Sequence, residues 1–208
     1  MRKVVVAAVA LGGMAVAQSA QAQDQLAGWY GQISAGALQL LDSEGSSGGV
    51  SVDIDHKLGF IITGAIGYGF GNGFRAELEF GYGQSKFDDV KINGMKGSLN
   101  GTVDHVTGYL AAYYEFNTGM VKPYLGGGLG AVYSDVGKST ATVGGVTASI
   151  NGDDDISFSA FGEVGAAIDI SKGFAIVPSV RYIWINDGGD GFDDNEAWVA
   201  RLGLRFKL

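Results

Sequence analysis

The stretch "GFRAELEFGYG", residues 73–83, alternates without a break. Phe74, Ala76, Leu78, Phe80 and Tyr82 fall on one parity, and Arg75, Glu77, Glu79, Gly81 and Gly83 on the other. Successive side chains of a strand point to opposite faces, so this is a β-strand with one apolar and one charged face. A soluble sheet turns the apolar face to a core and the charges to water. A membrane barrel inverts that arrangement, with apolar residues towards lipid and charges towards the lumen. One strand is compatible with both, and the rest of the chain separates them.

Seven further segments of ten or more residues alternate in the same way: 28–41, 57–70, 103–116, 121–133, 156–170, 174–185 and 197–208. In the second, Phe60, Ile62, Ile66, Tyr68 and Phe70 oppose Gly59, Thr63, Gly67 and Gly69. In the last, Trp198, Ala200, Leu202, Leu204, Phe206 and Leu208 oppose Arg201, Gly203, Arg205 and Lys207. No window carries a helical period after residue 22. The connections alternate in length. "GNG" (71–73), "NTGM" (117–120) and "SKG" (171–173) are tight turns holding the Gly or Asn that positive φ requires. Residues 42–56, 85–102, 134–155 and 186–196 form long polar loops. A soluble sandwich has no reason to sort its loops by length, whereas a transmembrane barrel with short periplasmic turns and four longer extracellular loops does.

The apolar parity carries aromatics near strand ends, among them Trp29, Phe70, Phe74, Tyr133, Trp184 and Trp198, as the two membrane interfaces favour. The opposite parity mixes small residues with charges of both signs: Arg75, Glu77, Glu79, Glu115, Lys122, Glu163, Arg181, Arg201 and Arg205. An eight-stranded barrel is just wide enough for side chains to fill. The expectation is an all-β, eight-stranded antiparallel transmembrane barrel with these charges in its lumen, either as a structural network or as a pore lining.

Residues 1–22 read as a secretory signal peptide. Arg2 and Lys3 precede the apolar run "VVVAAVALGGMAVA", and "AQA" (20–22) is a small-x-small cleavage site. The barrel domain is then 23–208. Loss of Arg2 and Lys3 takes the 14 basic residues to 12 against 22 acidic, a net charge of −10. That charge argues against nucleic acid or anionic lipid as a generic partner. The chain has no Cys, so no disulfide framework stabilises it.

The C-terminal "RLGLRFKL" fits a polar-x-Gly-x-x-apolar-x-apolar pattern through Arg201, Gly203, Phe206 and Leu208. With "KPYLGGGLGAVYSD" (122–135), "AFGEVGAAIDIS" (160–171) and "VPSVRYIWI" (177–185), it resembles the single-domain eight-stranded outer-membrane β-barrel family of Proteobacteria. That group of porin-like and opacity-type surface proteins is related in fold to the transmembrane domain of OmpA. The last residue departs from the family pattern, being Leu where Phe is commoner. The resemblance implies residence in the cell outer membrane as a monomer among lipid and lipopolysaccharide. It also implies insertion by the barrel-assembly machinery through the C-terminal signal, and loop contacts with host or surface ligands. Its members stabilise the membrane, interact with surfaces or form minor pores. The structural and surface role is the expected function, and a narrow channel for ions or small solutes is the alternative. No peptidoglycan-binding domain is expected within 23–208.

Other motifs carry weaker chemistry. Glu77 and Glu79 share a face at a spacing that acid–base catalysis could use, but a salt-bridge network with the arginines is the simpler reading. His56 and His105 stand where strands meet loops, and spacing alone gives no nucleophile–His–acid set, so no enzyme is expected. "NGDDD" (151–155) and "NDGGDGFDDNE" (186–196) concentrate carboxylates. Asp153, Asp154, Asp155, Asp190, Asp193 and Asp194 are the residues a divalent cation would engage, alone or in bridges to lipopolysaccharide phosphate. The EF-hand spacing is missing, and a solvated acidic loop explains the composition. "GYGFGNG" and "GGGLG" lack the strand–loop–helix setting of a nucleotide site and are barrel glycines. No cofactor is implied.

Overall fold

The computed structural model describes residues 26–41, 43–47, 50–92, 95–137, 139–143, 146–150, 152–186 and 195–208. The signal peptide and Asp190, Asp193 and Asp194 lie outside them. Twelve strands are described: β1 (Ala27–Leu40), β2 (Ser43–Ser47), β3 (Val50–Phe70), β4 (Phe74–Ile92), β5 (Met95–Asn100), β6 (Thr102–Glu115), β7 (Val121–Val136), β8 (Ser139–Val143), β9 (Val146–Ile150), β10 (Asp153–Ser171), β11 (Phe174–Ile185) and β12 (Asn195–Lys207). The eight long ones form the barrel, each antiparallel to its sequence neighbour. β12 closes on β1 from Tyr30 opposite Lys207 to Leu40 opposite Ala197. Closure removes the edges that an open sheet would expose and satisfies the strand backbones within the protein.

The three tight turns lie where the sequence puts them. Gly71 and Gly73 (φ 73° and 92°), Gly119 (102°) and Gly173 (82°) take the positive φ that lets each chain reverse in a few residues. At the other end the structure departs from the expected loop boundaries. β3 and β4 stay paired out to Val52 opposite Ile92, and β7 and β10 out to Val136 opposite Asp153. The loop segments also contain β2, β5, β8 and β9, and β5 pairs with β8. The reason is visible in "VSVDID" (50–55), where Val50, Val52 and Ile54 alternate with Ser51, Asp53 and Asp55, so period two continues into the expected loop. Backbone pairing needs period two, not a buried face.

Burial decides the opening question. Leu78 (44% exposed), Phe80 (61%), Leu110 (69%) and Leu202 (60%) face outward, while Glu79 (0%), Arg181 (1%) and Arg75 (2%) are enclosed. A soluble protein cannot expose a continuous apolar band and bury its charges. Lipid outside and a polar lumen satisfy both.

Candidate functional site

The centre of the lumen is a closed ring of four charges contributed by β4, β10, β11 and β12. Arg181 donates Nη1 to Glu79 Oε1 (2.6 Å) and Nη2 to Glu79 Oε2 (3.0 Å), and its Nε to Glu163 Oε2 (2.7 Å). Arg201 completes the circuit, with Nη1 on Glu79 Oε2 (2.8 Å) and Nη2 on Glu163 Oε2. Tyr124 donates its hydroxyl to the remaining Glu163 oxygen at 2.7 Å. Fork-to-carboxylate pairs of this kind are the strong, geometrically specific ones.

A second cluster lies towards the turn end. Arg75 pairs with Glu77, which also accepts from the Tyr30 hydroxyl at 2.6 Å. Glu115 accepts from Arg205 at 2.8 Å and lies 3.8 Å from Arg75. Lys122 pairs with Asp169 at 2.7 Å. Among the described residues the lumen thus matches five cations with five carboxylates, and every expected charge falls within one of these groups. Neutrality is what a dry interior requires, since a single unmatched ion there costs several kcal/mol.

Aromatic side chains fill the space between the ions; the alternation places Tyr109, Tyr113 and Tyr124 on the inward parity, while their stacking on the arginines is a finding of the structure. Arg181 stacks on Phe161 at 3.6 Å and Arg75 on Tyr113 at 3.8 Å, both in cation–π range. Tyr30, Tyr109, Tyr113, Tyr124 and Phe161 are buried. Parity was the available signal: Phe161 shares the face of Glu163, and Tyr113 that of Glu115. "GGGLG" belongs to the same arrangement. A Cβ on Gly126 would overlap the Tyr113 ring, and one on Gly128 the Phe161 ring. Gly126→Val should therefore destabilise the barrel by about 1–3 kcal/mol in denaturant titrations, because overpacking a filled interior strains it. Gly64→Val, whose Cβ would meet nothing within 4 Å, should leave the midpoint unchanged.

Towards the loop end the lumen changes character. Leu38, Ile61, Val132, Ile183 and Ala197 line it, so the inward parity there is apolar rather than small and charged as expected. His105, expected near the surface, is buried beside this region. Its Nε2 is 3.2 Å from Ser85 Oγ and its Nδ1 is 3.0 Å from Ser134 Oγ. The His56 side chain lies outside the described residues. Of the candidate cation ligands, Asp154 accepts from the Tyr133 hydroxyl and Asp155 from Ser157, and the Asp153 side chain lies outside the description. Among the described residues no group of three metal-ligating side chains converges.

The C-terminal pattern lies on the closing seam. Arg201 and Gly203 face the lumen, the Phe206 ring covers Gly31 of β1, and Leu208 N donates to Trp29 O at 3.0 Å. The profile of the outer membrane protein beta-barrel domain matches residues 7–206. The chain belongs to that family. It resides in the outer membrane, and its eight long strands form the transmembrane barrel. A protein of Gluconacetobacter diazotrophicus described as an outer membrane protein is 29% identical over 145 residues, 67% of this chain and 38% of that one. The chain therefore matches well under half the length of that relative. Among solved structures, the outer membrane protein OprG from Pseudomonas aeruginosa superposes with a TM-score of 0.54 at 17% identity, covering 89% of this chain and 99% of that one. Neisserial surface protein A gives 0.49 at 20% identity, covering 88% and 98%. At such identities the likeness concerns the fold alone.

Proposed function

We propose that the protein is a non-conducting outer-membrane scaffold, not an enzyme, whose loops carry its interactions. The observation that supports this is the ring of Glu79, Arg181, Glu163 and Arg201 together with Phe161 and Tyr113, which fills the cross-section at mid-lumen. A hydrated ion crossing there would have to displace paired charges that have no other partners of comparable strength. The lumen charges are then structural, and the barrel's working surface is external. Its partners in this reading are outer-membrane lipid, lipopolysaccharide and surface ligands of the loops. Arg201, Gly203, Phe206 and Leu208 are the signal through which the barrel-assembly machinery would insert it.

Planar-bilayer recording tests the reading. With folding verified by heat-modifiable electrophoretic mobility, the protein should give no steady unitary current. Steady currents whose size or selectivity changes in Glu79→Ala and Arg181→Ala would make the ring a pore lining, and the channel alternative would replace the scaffold.

A further inference from the structure

The loop segments do more than lengthen the barrel strands. β2, β3, β4, β5, β8 and β9 are hydrogen-bonded in that order, so three of the loops share one continuous antiparallel sheet. Unlike the closed barrel, this sheet has ends. Among the described residues β2 and β9 each pair on one side only. A free edge presents a row of unpaired N–H and C=O groups, and proteins blunt it with charge, Pro or a bulge. β2, "SEGSS", carries Glu44. β9, "VTASI", is mostly β-branched, uncharged and free of Gly and Pro, the composition that pairs most readily. Residues 137–152 around it hold Lys138 and no carboxylate, whereas 42–56, 85–102 and 186–196 each hold at least two. In a strongly acidic chain, this edge is where another copy meets least repulsion.

We infer that β9 pairs with β9 of a second copy of this chain, antiparallel and centred on Ala148. The register decides the occupant. Centred there, Val146 stands opposite Ile150, Thr147 opposite Ser149 and Ala148 opposite Ala148, so apolar positions share one face and hydroxyl residues the other. Similar sorting already joins β8 to β9, with Val143 opposite Val146, Ala141 opposite Ala148 and Thr142 opposite Thr147. A one-residue shift would set Val146 against Ser149 and Thr147 against Ala148, mixing the two faces. The two-fold pair closes on itself, because each copy uses this edge once, and it leaves the charged β2 edge out. The monomer implied by the family resemblance is then the unit of a dimer. The inference rests on the reading that the loops carry the interactions, but not on the closed lumen, so a conducting barrel would leave it untouched.

The chain has no Cys, so an introduced one is the sole thiol. In this register Ala148→Cys meets its own copy across the two-fold axis at a Cα spacing of about 4.5–5.5 Å, which a disulfide can span. The refolded protein is oxidised with copper–phenanthroline in detergent micelles, where copies approach in any orientation. Ala148→Cys should link into a dimer at least about tenfold faster than Thr142→Cys on the inner strand β8 or Glu44→Cys on β2, because a held pair has a far higher effective concentration than a collision. Ala148→Lys sets like charges opposite each other and should abolish energy transfer between copies labelled separately with donor and acceptor, as should Ala148→Glu. An equal mixture of the two variants should restore it. Equal rates at the three cysteine sites would overturn the inference, as would fast linking at Glu44→Cys alone or energy transfer unchanged by Ala148→Lys. Heat-modifiable mobility verifies that each variant folds, and rescue by mixing separates lost pairing from misfolding.

Discussion

Glu79→Ala is expected to cost about 3–5 kcal/mol of folding stability, the range found when one partner of a buried ion pair is removed. Glu79 accepts three of the arginine hydrogen bonds in the ring, two from Arg181 and one from Arg201. Without it, two guanidiniums share Glu163 alone, and the enclosed ring changes from neutral to a net positive charge. Glu79→Gln should fall between the parent and the alanine variant, because the amide oxygen still accepts but no longer balances charge. Pairing Glu79→Ala with Arg201→Ala leaves one arginine against one carboxylate, so the double substitution should cost clearly less than the two singles added. That non-additivity is what a double-mutant cycle reads for groups in one network. Equilibrium unfolding in lipid vesicles gives all four values. If Glu79→Ala costs under about 1 kcal/mol, the ring behaves like a solvated surface pair, and water must thread the lumen.

The difference between what the sequence disclosed and what it withheld follows from geometry. Strand faces and the three tight turns depend on period two and on Gly and Asn at reversals, all of which are local. Eleven residues thus put Arg75, Glu77 and Glu79 on one face, and the pattern of the whole chain turned that face to the lumen. Their partners could not be read in this way. Glu79 meets Arg181 across 102 residues of sequence, and which inward positions oppose each other depends on how the strands stagger around the barrel. Tyr109 and Tyr113 fall on the charged parity of their strand in the sequence, but that parity does not say which arginine each would stack on. The change from charged to apolar lining at Leu38, Ile61 and Ile183 has the same cause, since alternation tells inward from outward but not depth. The loop strands were hidden for a different reason: β2 is polar throughout and β8 is short and rich in Ser and Thr, and composition suggests a loop where backbone pairing persists.

Leu78→Arg is the second substitution with a large expected effect, about 2–4 kcal/mol, and it tests the face assignment directly. Leu78 lies opposite Ile66 on β3 and Leu110 on β6, inside the outward apolar band. Lipid at this depth offers an arginine no partner, although snorkelling reduces the penalty. The same replacement at Phe74, beside the 71–73 turn, should cost only about 0–1 kcal/mol, because headgroups and water are within reach there. The gradient between the two sites is the diagnostic quantity. Both residues are outward and about half exposed (44% and 55%), so accessible area alone would predict equal, small effects in water. Only a medium whose polarity changes with depth separates them. Unfolding of both variants in vesicles measures the difference, and equal tolerance at Leu78 and Phe74 would mean that the apolar face does not meet a bilayer. Glu77, next in sequence to Leu78, faces the opposite medium. Within two residues of one strand the chain holds a carboxylate in a matched ionic interior and a leucine in hydrocarbon, and a one-residue slip in register would lose both.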